Sequence, residues 1–272
     1  MLKQRLITAA LLIPLFVWAI LALPNHYFAM LFGVIAVIGA KEWCRLADIP
    51  DGFLQGGYSA LMVLLFGALW MMPLSEGGGL IILLASSMVW WGMVLLMVLS
   101  YPRGSLLQNR NFKSIAGFWL LTPCWLALVA LHSRAEDGPI YVLFLLTLIW
   151  VADSAAYFTG RQWGNKKMAP NVSPGKTMAG LWGAVVGGGI WSAAGIYFLQ
   201  PGMGLGFVVL CMVTVLFSVL GDLAESMFKR NAGVKDSGSL LPGHGGVLDR
   251  IDSVTAAAPV FVLGLLLLER VS

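Results

Sequence analysis

Apolar stretches long enough to cross a bilayer recur from one end of this chain to the other, and no other feature limits its fold so severely. They cover residues 6–23, 27–41, 57–72, 79–99, 115–131, 139–159, 178–199, 203–221 and 253–268. A helix needs roughly 17 to 25 apolar residues to span about 30 Å of hydrocarbon. The second stretch is short and the third and ninth are near the limit, so eight or ten crossings also fit. Backbone groups in lipid must pair internally, which favours helices for runs of this length and leaves little case for a barrel. Only 11% of the 272 residues are charged, against about a quarter in a soluble domain. The expected fold is therefore an all-α polytopic membrane protein with about nine transmembrane helices.

The first stretch follows Lys3 and Arg5 but is too long for a signal peptide and lacks a small-x-small cleavage site, so it reads as a retained anchor. A cytoplasmic N-terminus with nine crossings puts 15 of the 17 basic residues on the cytoplasmic side and leaves only Arg134 and Arg270 outside. Such asymmetry supports both the helix count and the orientation. The formal net charge of +4 is thus a topology signal. No basic stripe interleaved with aromatics points to nucleic acid. Cys44, Cys124 and Cys211 are widely spaced and have no neighbouring His, so they read as core filler and not as a disulfide or zinc framework.

No repeat or linker divides the chain, which reads as one membrane domain: residues 1–138 are mostly apolar helices, and 139–272 carry the polar chemistry. Asp153 lies about one turn inside the cytoplasmic end of the sixth span, where a carboxylate is costly and by default a functional candidate. The following loop carries Arg161, Lys166, Lys167 and Lys176 and ends Ser173-Pro174-Gly175-Lys176-Thr177. That ending imitates a phosphate loop. However, Pro170 stands where a Walker A glycine is required, and a helix rather than a strand is expected before the loop. Lysines at a helix start can still bind phosphate oxygens, although they serve equally well as topology charges. Gly180, Gly183, Gly187, Gly188 and Gly189 in the seventh span read as a helix-packing surface.

The densest constellation begins at Asp222. In a continuing helix Asp222, Glu225, Ser226 and Lys229 fall on one face, so the eighth helix is expected to protrude with a polar stripe. The next twenty residues, rich in Gly, Ser and Pro, let the backbone approach a ligand closely. Five acids, four bases and His244 between Asp222 and Asp252 suit a metal-phosphate site. Magnesium takes one or two carboxylates and completes its shell with water and phosphates, whereas zinc would want more His or Cys. A structural or a functional role for His244 remains open on these grounds.

From Ser226 to Asp252 the chain fits, without a gap, a pattern of Ser, Lys-Arg, Lys-Asp, Pro-x-His-Gly-Gly and Asp-Arg-x-Asp, and here it resembles the phosphatidate cytidylyltransferase, or CDP-diacylglycerol synthase, family. Asp153-Ser154-Ala155-Ala156-Tyr157, Ser173–Thr177 and Leu220-Gly221-Asp222 extend the resemblance over roughly the last 130 residues. The resemblance implies CTP plus phosphatidate giving CDP-diacylglycerol and pyrophosphate, with Mg2+ held by Asp222 and Asp249. It implies a catalytic set of Asp222, Asp249, Lys229, Arg230 and His244. The expected substrate-binding set is Asp153, Lys166, Lys167, Ser173, Lys176, Ser226, Lys235, Asp236, Gly245, Gly246, Arg250 and Asp252. A place in the bacterial inner membrane with a cytoplasmic active site follows, and a homodimer rests on the resemblance alone. The main competing reading is a cation- or proton-coupled transporter using Asp153 and Asp222. A transferase consuming CDP-activated lipid is the other, and its Asp-Gly-x-x-Ala-Arg opening is absent.

Overall fold

The structure is a computed structural model that describes all residues except 1, 51, 73–77, 135–136, 200–201, 203, 241–242, 244 and 271–272, and no side chains for 2–9, 11 and 12. Among the described residues it forms nine α-helices: α1 Leu2–Ala22, α2 Asn25–Leu46, α3 Phe53–Met71, α4 Gly79–Ser100, α5 Arg110–His132, α6 Gly138–Trp163, α7 Met178–Leu199, α8 Leu205–Asn231 and α9 Leu248–Leu268. Eight of these are long and apolar enough to cross a membrane, and α1 contributes the apolar segment Ile13–Ala22. The all-α polytopic expectation therefore holds.

The chief departure is a short antiparallel hairpin between α6 and α7, strands β1 Lys167–Ala169 and β2 Ser173–Thr177, where sequence reading expected an irregular loop. The Ser173–Thr177 segment that imitates a phosphate loop is an extended strand running directly into α7, in keeping with its rejection as one. Thr177 ends the strand and caps the helix, its Oγ1 accepting from the Gly180 amide at 3.1 Å. A second departure is the length of α2, which reaches Leu46, well beyond its apolar run, whereas α8 continues to Asn231 as its polar stripe predicted, so the last turns of both carry charged residues.

Successive spans alternate in direction, so the C-terminal ends of α2, α6 and α8 and the starts of α7 and α9 gather at one end of the bundle. Helix α5 packs against α9 and α2, and its run from Leu120 to Val129 is buried. Its charged end is tied to two neighbours: Trp43 Nε1 donates to the Lys113 carbonyl at 2.8 Å, and the Tyr58 hydroxyl donates to the Ser114 carbonyl at 2.8 Å. Gly117 makes room for both rings. Lys113, itself buried, reaches Asp48 in an ion pair. At the opposite end Arg134 pairs with Glu269 through both terminal guanidinium nitrogens.

Small residues set the helix spacing around the charged end. A Cβ at Gly180 would sit 3.0 Å from the Ala156 carbonyl, and one at Gly187 would sit 2.7 Å from Ala155 Cβ, which brings α7 against α6 as the glycine pattern predicted. Gly221 does the same between α8 and α9, where a Cβ would overlap the Asp252 carbonyl oxygen and lie 3.3 Å from Ala256 Cβ. This crossing fixes the distance between the acids of α8 and those of α9. Gly221→Ala is therefore expected to destabilise the protein by about 1–3 kcal/mol through overpacking, read as a lower unfolding temperature in detergent, with Gly221→Leu yielding little monodisperse protein.

Candidate active site

The polar ends meet in two linked groups of side chains. The first faces the hairpin. Asp222, immediately after the apolar run of α8, receives the Lys176 ammonium on Oδ2 at 2.8 Å, and its Oδ1 accepts from Ser226 at 3.3 Å. Lys176 is placed by β2, which leads the chain back under α8. Both residues line a cavity of about 450 Å³, together with Asp153, Tyr157, Arg161 and Lys167. Asp153, Lys167, Lys176 and Asp222, expected from sequence to share a site, do converge here.

The second group joins α8 to the start of α9. Lys229 Nζ donates to Glu225 Oε2 at 2.9 Å and to Asp249 Oδ1 at 2.6 Å. All three side chains are largely buried, at 12%, 0% and 6% exposure respectively, so the ammonium compensates two carboxylates that water barely reaches. Asp249 Oδ2 accepts three further bonds, from the Ser237 amide and hydroxyl at 3.0 Å each and from the Gly246 amide at 2.8 Å. Gly245 turns the chain at φ 83°, where a Cβ would crowd Asp249 Oδ2 at 2.7 Å. The first glycine of the motif is thus shaped to Asp249, and the second donates its amide to it. Asp252, one turn along α9, lies between the two groups and interacts electrostatically with Asp222, Glu225 and Lys229.

Other sequence candidates fall elsewhere. Arg230 points to the hairpin, its Nε donating to the Val172 carbonyl at 3.3 Å. Lys166, Lys235 and Asp236 are exposed, and Ser173 is half-buried. Arg250 lies on another face of α9, beside an apolar crevice that includes Trp150 and Val254. His244 lies outside the described residues. Sequence reading also missed Glu42, which takes the Val247 and Leu248 amides and the Ser237 hydroxyl from the end of α2. Its position just past a short apolar run made it resemble an ordinary interfacial charge.

Among the described residues no three His, Cys, Asp or Glu side chains converge closely enough to hold an ion unaided. A magnesium ion bound here would take one or two carboxylates and draw its remaining ligands from water and phosphate. Two features fit a cation. Among the described residues, Lys176 and Lys229 are the cations that interact with Asp153, Asp222, Glu225, Asp249 and Asp252, so the acids outnumber them, and the buried Glu225, with no ammonium, amide or hydroxyl donor at Oε1, meets the Asp252 carboxyl group. Asp222, at 34% side-chain exposure, is more accessible than Asp249 at 6%, whose Oδ2 already accepts three hydrogen bonds and whose Oδ1 accepts the Lys229 ammonium with one lone pair to spare.

Such a fold, with its charged groups collected where helix ends meet, defines a polytopic membrane protein with one polar working surface. The chain matches the model of the Cytidylyltransferase family over residues 3–268 and belongs to that family; it is accordingly a nucleotidyltransferase. Curated relatives named phosphatidate cytidylyltransferase include one from Pseudomonas aeruginosa, 40% identical with 96% of each chain covered. Another, from Haemophilus influenzae, is 38% identical over 96% of this chain and 97% of its own. A third, from Staphylococcus haemolyticus, is 33% identical over 98% and 99%.

Lys229→Met preserves much of the side-chain volume but leaves Glu225 and Asp249 buried without their cation. It is expected to cost about 3–5 kcal/mol of stability, measured by thermal unfolding of the purified protein, whereas Lys235→Met, at an exposed position, should change it little.

Proposed function

We propose that this protein transfers the cytidylyl group of CTP to phosphatidate, giving CDP-diacylglycerol and pyrophosphate, at the cytoplasmic face of the inner membrane. The observation that carries the reading is the Lys176–Asp222 pair lining a charged cavity, at the end of the bundle that also holds the Asp-Arg-x-Asp segment. The relatives' names supply the substrates, and the basic asymmetry of the sequence supports the sidedness.

Phosphatidate carries its own nucleophile, because a phosphate monoester with a second pKa near 6 is largely ionised at neutral pH. One of its oxygens forms a bond to the α-phosphorus of CTP, the α–β bridging P–O bond breaks, and the electron pair departs on pyrophosphate. No strong general base is required. Positioning and charge neutralisation carry the work, as in other phosphoryl transfers. Lys176, Lys167 and Arg161 line the cavity and present positive charge to phosphate oxygens. Lys229 holds Asp249 in place and offsets part of the negative charge of the acidic cluster. Asp222 and Asp249 would hold magnesium, which when bound supplies further neutralisation of phosphate charge.

Two outcomes are expected with radiolabelled CTP and phosphatidate in mixed micelles. Asp222→Asn or Asp249→Asn, each purified and monodisperse, should lose at least about a hundredfold in turnover, comparable to losing a major electrostatic stabiliser. Since the pair acts as a unit, the double variant should be little worse than the poorer single one. Near-normal turnover in either at ordinary magnesium would remove the two-carboxylate assignment. Lys176→Ala should raise KM for CTP about tenfold or more, as expected when a charged hydrogen-bond partner is lost, while membrane insertion is unchanged. A wild-type protein that releases no pyrophosphate from CTP would favour the transport reading instead.

A further inference from the structure

We infer that Glu42 is a positioning residue for cytidylyl transfer: from the end of α2 it holds the start of α9, and through Ser237 it holds Asp249. Helix α9 needs such help. The first amides of any helix lack intrahelical acceptors, and the residue at the N-cap of α9 is Val247, whose side chain offers none. Glu42 supplies them from another helix. Its Oε1 accepts the Val247 amide at 3.0 Å and its Oε2 accepts the Leu248 amide at 2.8 Å. Asp249 takes the amide immediately before, that of Gly246. Three successive N–H groups are therefore received by two carboxylates, and negative charge at a helix N-terminus is favourable in itself.

Ser237 couples the pair. Its hydroxyl lies 3.2 Å from Glu42 Oε2 and 3.0 Å from Asp249 Oδ2, so one proton faces two carboxylates. The loop has conformed to this arrangement, because a Cβ at Gly238 would overlap Glu42 Oε1 and one at Gly246 would overlap Glu42 Oε2 and the Ser237 hydroxyl. The second glycine of the His-Gly-Gly motif is thus required by a residue some 200 positions earlier. Glu42 and Ser237 border an opening of about 840 Å³ shared with Lys41, Arg45 and Ser239, which Asp249 does not line, and Glu42 does not line the cavity of Lys176 and Asp222. It therefore acts on the reaction through Asp249.

The inference rests on the function proposed above, and the test separates the two. Full-length Glu42→Gln and Ser237→Ala are purified in detergent beside the wild type. Amide hydrogen exchange is followed at residues 237 and 246–248, and steady-state kinetics are measured with CTP and phosphatidate. The expected result is exchange at least about tenfold faster at those amides, with α5 and α6 unchanged. It is accompanied by kcat lower by about 10- to 100-fold, the scale of an ångström-level misplacement, and KM for CTP within about threefold. Glu42→Gln and Asp249→Asn should combine to less than the product of their separate effects. Wild-type kcat in Glu42→Gln, or an effect that multiplies fully with Asp249→Asn, would overturn the positioning role. So would loss of folded protein with unchanged kcat in the folded fraction. If Glu42→Gln does not fold, the same exchange and kinetic criteria apply to Ser237→Ala. Absence of cytidylyl transfer in the wild type itself would sink the proposed function, while the exchange comparison would still decide whether Glu42 orders the loop.

Discussion

The arrangement at the polar end depends on the Lys229 ammonium lying between Glu225 and Asp249. An unpaired carboxylate buried to this degree is strongly disfavoured, and here two are brought together where α8 leaves the apolar layer. Lys229 compensates both, and in doing so binds the end of α8 to the start of α9. The other contacts of Asp249 come from the segment between the two helices, where the Ser237 and Gly246 amides both donate to its Oδ2.

Close backbone approach makes that anchor geometrically possible. Gly221 lets α8 meet α9 at the Asp252 carbonyl, and Gly180 lets α7 meet α6 at the Ala156 carbonyl. The first contact sets the spacing between Asp222 and the acids of α9. The second draws the hairpin, with Lys176 at its edge, under α8. The charged groups therefore hang on a scaffold whose precision comes from missing side chains as much as from present ones, and packed interiors transmit such constraints with little slack.

The site also joins two parts of the chain that differ in character. The first half is nearly devoid of internal charge, yet α2 extends far enough to deliver Glu42 to the loop before α9. A helix whose first amides find no acceptor in their own segment must obtain one elsewhere, and α2 is the neighbour that provides it. This ties the apolar half to the chemistry and accounts for Gly246 in steric terms.

The sequence by itself determined the solvent, the helix type and the location of the chemistry. Long apolar runs admit only internally bonded helices, the basic residues cluster on alternate loops, and the Asp222 to Asp252 segment concentrates polar groups that lipid would reject. Asp153 was legible as a site candidate because an acid inside a span is costly, Asp222 because it opens a polar helix face, and Lys167 and Lys176 because cations near a helix start can bind phosphate. Partnership was not legible. That Lys229 would face Asp249, that Arg230 would turn to Val172, that β2 would be a strand and that Glu42 would cap α9 depend on helix crossings and a loop path encoded across the whole chain. Periodicity places a residue on a face of its own helix, but which neighbour that face meets, and at what distance, is decided only when the helices pack.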